Sequence, residues 1–582
     1  MNGQPKTPFY VVLFLVVGGL LAFAAYRSDL FAPKGRVQEG PGPRPGDIDP
    51  GMIGQVAEDT DSSAVTTVKE YVFKPAERLP EVKGTSAYKA LEDNTVRFAL
   101  NVWAGWGPII LANEGFKPGK VWKTPKGEEF KVELVLIDDP VAMRDAYAAG
   151  EVHIGWATLD MVPLFMEGFV DKTGQPRDSR VMPRIYQQVD WSNGGDGIVA
   201  REAIKTVSDL RGKKVVLAQN SPSHYFLLNM LVAGGVQPSE VELNFTPTAF
   251  EAAAAFNAQR DISAAVSWAP DIYNLAEARG NRMLVTTQTA NKLIADVWFA
   301  RADFAKDHID KIESLVRGIF DAMEELKKED RKAEAARLMA EGYNIPASDT
   351  LNMFADAHNT NWAENFQFFL NQNNPTNFER VWSQSYYLYR RIGVIKHQPV
   401  SFDKVMDFSI IEKLGQEPKY RSQKDEYQVK LAPKAVSEIH AESDEILTNT
   451  IVIQFFPNSW ELYKKINRDE GGVVTEVLYD PNVDNVLQEV ANMAGQFGAA
   501  RIIIEGHTDS SRRGQVPESM VKELSLNRAN AVREALVNKH QMDPNRFAAA
   551  GMGWDRPADP NDPENHAKNR RVEIKVYTAE KQ

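Results

Sequence analysis

The sequence predicts a chain in three parts: one apolar N-terminal segment, a central α/β domain, and a C-terminal α+β sandwich. Three observations carry this. Phe9 to Tyr26 (FYVVLFLVVGGLLAFAAY) runs for 18 residues without a charge. From Thr95 short apolar strands alternate with helices, and the second half of the region repeats the style of the first. From Thr450 a separate strand, helix, strand, helix, strand pattern begins.

Composition narrows the function classes. The chain has 582 residues, 43% hydrophobic and 25% charged, enough for two to four domains. Its net charge is -12 and its pI about 5.5. That balance argues against a nucleic-acid partner, which would call for a basic face. There is no cysteine. This suits an exported protein, and it excludes a lipid-bearing cysteine, cysteine catalysis and thiolate metal sites.

A bilayer core takes about 20 apolar residues, so residues 9–26 sit at the lower edge of a membrane span. Ala22-Phe23-Ala24 also fits a signal-peptide cleavage pattern ahead of Ala25. Lys6 lies before the segment and Arg27, Lys34 and Arg36 after it, so flanking charge fixes no orientation. Residues 1–26 therefore read as an inner-membrane anchor or a removed signal. Both readings place the bulk of the chain in the periplasm. Residues 27–94 read as a linker. Their first part is rich in Pro, Gly and acidic residues, and about 30 such residues extend roughly 90 Å.

In the central region, Val96–Leu100, Lys131–Ile137 and His153–Trp156 read as strands, with helices over Val141–Ala149 and Asp160–Met166. Lys213–Ala218 and Ala264–Trp268 are further strands. Ser221-Pro222 starts a helix through Ala233, with a capping residue and a proline in the first turn. The alternation implies parallel strands. Ligands in such sheets bind where strand ends meet helix starts. The loops of interest are therefore 103–107, 157–160, 194–197, 221–224 and 268–271.

The segments NVWAGWGPIILANEGF, AYAAGEVHIGW, GGDGIVAREAIKTVSDLRGKKVVLAQNSPSHYFLLNML and AAVSWAPDIYNLAEA resemble the nitrate/sulfonate/taurine-type substrate-binding proteins of ABC transporters. The resemblance covers roughly 95–415. It implies a type II periplasmic-binding fold whose two lobes close on a small solute, with the second lobe at about 196–288, and an ABC permease as partner. Trp103, Trp106, Asp160, Ser221, His224, Trp268 and Asp271 are the candidate solute contacts. Helix starts and hydroxyls favour an anionic or zwitterionic solute. A protonated His224 would add to that, and tryptophan faces could wall the ligand.

Residues 416–445 read as a connector and 446–582 as the last domain. Ile451–Phe455, Arg501–Glu505 and Arg571–Tyr577 are its expected strands. Asn482–Phe497 and Ser525–Lys539 are its helices. Gly506-His507-Thr508-Asp509, Leu524-Ser525-Leu526-Asn527-Arg528-Ala529, Gly551-Met552-Gly553-Trp554 and Asn569-Arg570-Arg571-Val572-Glu573-Ile574 resemble the OmpA-like peptidoglycan-binding domain. The resemblance implies that Asp509 meets the ammonium of a diaminopimelate stem and Arg528 its carboxylate, with Arg570 in support. Two features depart from it: a long segment after Asp509, and Val521 where an asparagine is common.

No metal-ligand spacing joins the nine histidines, and no nucleophile or phosphate-loop motif is present, so neither catalysis nor a cofactor is expected. The expected function is solute capture by a protein tethered to peptidoglycan. The alternative is an envelope sensor whose loaded domain signals to a membrane partner.

Overall fold

The computed structural model describes residues 71–579, apart from 452, 454, 471, 472 and 565. The apolar segment 9–26 lies outside the described residues. No helix among the described residues is long and apolar enough to cross a membrane.

Two sheets build the central region. Strands β1 (Thr95–Leu100), β2 (Trp122–Lys123), β3 (Glu129–Leu136), β4 (Ile154–Thr158) and β5 (Pro183–Ser192) lie in the first. The chain then passes to β6 (Asp196–Arg201), β7 (Lys214–Ala218), β8 (Glu242–Thr246), β9 (Ala264–Trp268) and β10 (Asn281–Thr286) of the second. It returns through β11 (Ala295–Arg301) and later β12 (Ala357–Asn359). The sheet orders are β12-β5-β11-β4-β1-β3-β2 and β10-β6-β9-β7-β8. β4 and β11 are buried along their whole length; β4 carries no charge, whereas β11 buries Asp296 and Arg301 at either end of an apolar run. β3 alternates buried and open residues.

The sheets are mixed rather than wholly parallel. β1 pairs in parallel with β3 and β4, and β7 with β8 and β9. β11, which brings the chain back into the first lobe, runs antiparallel to both β4 and β5, and β6, which enters the second lobe, runs antiparallel to β9 and β10. The strand that receives the chain from the other lobe reverses the direction set by the strand–helix–strand units.

Residues 71–91 run as an extended strap over both lobes. Val72 accepts from the Ser239 N–H, and Lys74 donates to the Val241 carbonyl, both of the second lobe. Farther along, Arg144 of the first lobe donates to the carbonyls of Pro80 and Glu81.

The C-terminal sheet has the order β13-β18-β16-β17, with β13 at Glu445–Ile451, β16 at Arg501–Gly506, β17 at Phe547–Gly551 and β18 at Val572–Tyr577. β13 starts and ends earlier than the expected 451–455 strand. Pro457 has no N–H for a ladder, and Asn458 turns the chain at φ +59°. A hairpin, β14 (Lys465–Glu470) with β15 (Val473–Leu478), precedes the first helix. Helices Val483–Gln496 and Glu518–His540 complete the domain. The second packs directly on the sheet. A Cβ on Gly506 would lie 2.0 Å from the Ser525 carbonyl oxygen, and one on Gly551 2.1 Å from that of Lys522. Helix Val483–Gln496 also touches the return between the lobes, where the Lys292 N–H donates to the Gln496 carbonyl at 3.1 Å.

Candidate functional site

The strand ends of the two lobes bring together Trp103, Asp160, Asp190, Asp196, Asp296 and Asp356. Asp190 and Asp296 sit opposite one another in the β5–β11 register. The Trp103 indole N–H donates to both Asp190 oxygens at 3.2 and 3.3 Å. Asp190 presses on Gly105, where a Cβ would lie 1.6 Å from Oδ2, so that loop position has no room for a side chain. Ser192 donates to Asp196 at 2.7 Å, and the Tyr389 hydroxyl to Asp160 Oδ2 at 3.2 Å. Tyr273 of the second lobe reaches Asp356 Oδ1 at 2.6 Å and the Gly194 carbonyl at 3.0 Å.

Burial raises all five carboxyls above the usual carboxylate range, and for Asp160, Asp190, Asp196 and Asp296 neighbouring acids add to the rise. Asp190 and Asp160 are pushed up to about 7 and Asp196 to about 6. Asp296 and Asp356 are also raised, the former further by Asp190, Asp196 and Asp160.

The expected solute residues separate on inspection. Trp103 and Asp160 belong to this cluster. Trp106 does not: it is wholly buried, packs edge-on to Phe98 and donates to Asn101. Ser221 opens helix Pro222–Ala233, yet its hydroxyl turns inward to the Ala218 carbonyl at 2.8 Å instead of capping. His224 is a correction. It is fully buried against Phe245, and burial pulls its pKa down to about 3. It therefore carries no positive charge at neutral pH, and with Nδ1 accepting from the Asn220 N–H its donor is the buried Nε2. Trp268 stands at the second lobe's edge with Phe250 at 6.1 Å, and Asp271 is half-buried in the next helix. Sequence reasoning missed Asp190, Asp196, Asp296 and Asp356. The flagged loop 194–197 contains Asp196 and was the nearest signal.

In the C-terminal domain every expected residue is buried or nearly so. Asp509 accepts from the N–H and hydroxyl of Ser511, and the Arg570 Nε lies 3.5 Å from its Oδ2. His566 stands 3.9 Å from the other oxygen. Arg528 projects from helix Glu518–His540, and its Nε donates to the Ser459 carbonyl at 3.1 Å. Its guanidinium lies over the Phe455 ring at 5.0 Å. The motif residues around them set this geometry. Ser525 accepts from the Gly553 N–H at 3.0 Å, and Asn569 accepts from the Ala558 N–H at 2.8 Å. Val521 has its own account: it is fully buried with Met520, Leu524 and Trp554, where an amide would lack a partner. The long segment after Asp509 becomes turns at 511–516 and then, from Glu518, the start of that helix.

Beside these residues, Glu505, His507 and Glu573 form a buried group whose carboxylates are neutralised by Arg571 at 2.6 Å and by Lys575 and Arg556 at 3.3 and 3.4 Å. Burial pushes Glu573 up, but the His507 bond and Arg571 outweigh it and hold the carboxyl at about 2.

Comparison with known proteins matches two separate stretches of the chain. Residues 475–571 match the OmpA family model, and residues 182–333 match the family described as NMT1/THI5 like. Outer membrane protein Omp38 of Acinetobacter baumannii is 35% identical over 124 residues, 20% of this chain and 32% of that protein. The taurine-binding periplasmic protein of Escherichia coli is 28% identical over 198 residues, 33% of this chain and 57% of that protein. The chain thus spans about a third of the length of the first curated relatives it matches. Among solved structures, a putative periplasmic sulfonate-binding protein of Methylobacillus flagellatus covers 57% of this chain and 97% of its own at 16% identity, with a TM-score of 0.44. The chain joins an NMT1/THI5-like region to a C-terminal OmpA region.

Proposed function

We propose that this protein captures a small solute between the two lobes of its central domain, in the periplasm, while its C-terminal domain holds it to peptidoglycan. The observation that carries the reading is the conjunction in one chain. A two-sheet domain with polar groups gathered at its strand ends matches a binding-protein family, and it is followed by an OmpA region. The central domain takes the type II periplasmic-binding arrangement and binds its solute without turnover. An ABC permease receives the solute. The start of helix Pro222–Ala233 suits an anionic or zwitterionic group. Residues 9–26 anchor the chain in the inner membrane or are removed on export.

In the C-terminal domain Asp509 receives the ammonium of a diaminopimelate stem and Arg528 its carboxylate, with Arg570 holding Asp509 in place. The test is co-sedimentation of the full chain with purified diaminopimelate-type sacculi. Asp509→Ala lowers the bound fraction at least tenfold while the domain stays folded. Wild-type sedimentation by a folded Asp509→Ala variant would end the tethering reading.

A second reading, an envelope sensor, is favoured by one contact. The Lys292–Gln496 hydrogen bond couples the return between the lobes to a C-terminal helix. Affinity capture of a permease supports transport, whereas capture of a membrane signalling protein supports the sensor.

A further inference from the structure

The central cleft gathers five buried carboxyls that, among the described residues, are relieved by protonation and neutral donors. Among the described residues, the strongest electrostatic neighbours of Asp160, Asp190, Asp196, Asp296 and Asp356 are hydroxyls, the Trp103 indole and one another, with no lysine, arginine or histidine among them. A buried ammonium does lie nearby, but it is turned elsewhere. Lys292 sits over the rings of Tyr427 and Trp191, at 4.5 and 5.4 Å, and feels Asp425 and Glu364.

A second observation points into the same space. Thr158 stands beside Asp160, and Ser385 and Asn229 stand beside the Tyr225 hydroxyl, yet none of these contacts closes to a full hydrogen bond, so Asp160 Oδ1 and the Thr158 and Tyr225 hydroxyls are buried and under-satisfied. Tyr225 is wholly buried on the second lobe's first cleft helix. Its ring lies 6.3 Å from that of Tyr389, which holds the other oxygen of Asp160. Thr158 is paired with Asp296 in the β4–β11 register. Under-satisfied polar atoms from both lobes therefore converge on the acids, and buried polar groups are ordinarily satisfied.

We infer that the cleft recognises a protonated amine, gripped by the facing Asp190 and Asp296 with Trp103 alongside and Asp160 farther along the cleft. This rests on the solute-capture reading and narrows it: of an anion and a zwitterion, it retains only the solute that carries an ammonium. An ammonium has three donors and no acceptor, which suits a site built from carboxylates and a tyrosine hydroxyl. It also removes the uncompensated charge, since a buried carboxylate is tolerated when paired. A simple anion would add to the repulsion. A divalent metal fits less well. Among the described residues, the acidic side chains that converge closely enough to share an ion are Glu505 and Glu573 with His507, and the cleft acids do not.

The test uses the purified full chain, with thermal melting and titration calorimetry. One panel holds taurine, lysine, putrescine, spermidine and choline; a second holds methanesulfonate, nitrate and sulfate; a third holds calcium and magnesium chloride. At least one amine raises the melting temperature of the central domain by several degrees. Asp190→Asn, which keeps the shape that Gly105 accommodates, weakens that amine at least tenfold. Asp296→Asn does the same and serves if the first variant melts abnormally. If the anions bind and Asp190→Asn leaves their affinity unchanged or improves it, the amine assignment is overturned while solute capture stands. The same holds if calcium or magnesium alone reproduces the shift. If no member of any panel binds, the amine assignment and solute capture fall together.

Discussion

Two groups of buried carboxylates in this molecule are held in opposite ways. In the C-terminal domain Glu505 and Glu573 each meet a lysine or arginine, and Asp509 faces Arg570. In the central cleft Asp160, Asp190, Asp196, Asp296 and Asp356 meet hydroxyls, an indole and each other. The first arrangement has its acids paired with basic side chains, although both His507 nitrogens are buried without a full hydrogen bond. The second is unfavourable to the empty protein when its carboxyls are ionised, and the inferred ammonium would relieve it. A paired acid cluster builds a fold, whereas an unpaired one stores binding energy at the expense of stability.

The largest expected effect comes from breaking a pair. Arg571 is buried, holds Glu573 through two nitrogens and donates to the Arg556 carbonyl. Arg571→Met keeps the volume and removes the charge, leaving a buried carboxylate short of its partner. The C-terminal domain should lose about 3 kcal/mol, read by urea unfolding. A loss below 1 kcal/mol would mean that Lys575 and His507 carry the carboxylate alone.

The cleft should respond with the opposite sign. Asp296→Asn removes one titratable carboxyl, held well above its usual range by burial and the neighbouring acids, and keeps the shape. It should stabilise the empty central domain by about 1 kcal/mol at pH 7.5, since one unit of pKa displacement corresponds to roughly that amount. Destabilisation would show that the Asp190–Asp296 contact is a needed hydrogen bond and that the repulsion is minor.

The pH dependence sharpens the same contrast. Asp160 and Asp190 titrate at about 7 and Asp196 at about 6 in the folded state, against about 3.9 unfolded. The folded state holds protons that the unfolded state has released, so this stability is present at low pH and is lost as pH rises through 6 to 7. His153 and His224 are kept neutral by burial and oppose this trend, but only below about 6.5, where the unfolded chain protonates them. Between pH 6.5 and 8 the central domain's melting temperature should therefore fall, and fall less in Asp296→Asn. Glu573 has the reverse sign. Its pKa of about 2 lies below the unfolded value, so its contribution is present above about 4.3 and is lost on acidification toward 2. His507, lowered by burial, adds a loss below about 6.5. Calorimetric scans from pH 4 to 8 should show the C-terminal transition flat above 6.5 and falling below it. Parallel slopes for both domains would remove the contrast.

How much of this was readable in the sequence depended on whether a residue's role is local. β9 at Ala264–Trp268 and the helix ending at Ala233 are local: an apolar run with a proline or glycine boundary defines each. The Gly506 and Gly551 motifs were legible as motifs, although their reason, a helix backbone resting on the sheet, is tertiary. Asp190 was not legible. Between Val189 and Trp191 it looks like the outward residue of an alternating strand, and only the pairing of β5 with β11 turns it onto Asp296. His224 failed for the complementary reason. A helix start marks a candidate ligand contact, but the sequence does not say which way the first-turn side chains face. The β14–β15 hairpin carried a readable signal, a Gly-Gly pair between two short runs, that the strand pattern did not use.

The smallest expected effect is at Ser221, where the structure separates two roles that the sequence merges. As a cap it would bond an N–H of the first helical turn, and as a solute contact its hydroxyl would face the cleft. It does neither, because the hydroxyl donates to the Ala218 carbonyl at the end of β7. Ser221→Ala therefore removes one buried intramolecular hydrogen bond, worth about 1 kcal/mol net, and leaves the helix start otherwise as it was. The empty central domain should melt a few degrees lower, while affinity for the amine that binds wild type changes less than twofold, both read on the same sample by melting and titration calorimetry. The acids of the cleft should show the reverse pattern, with large changes in affinity and stability unchanged or improved. A tenfold loss of affinity in Ser221→Ala at an unchanged melting temperature would mean that the hydroxyl turns toward the solute on binding. Ser221 would then belong with Asp190 and Asp296 as a ligand contact.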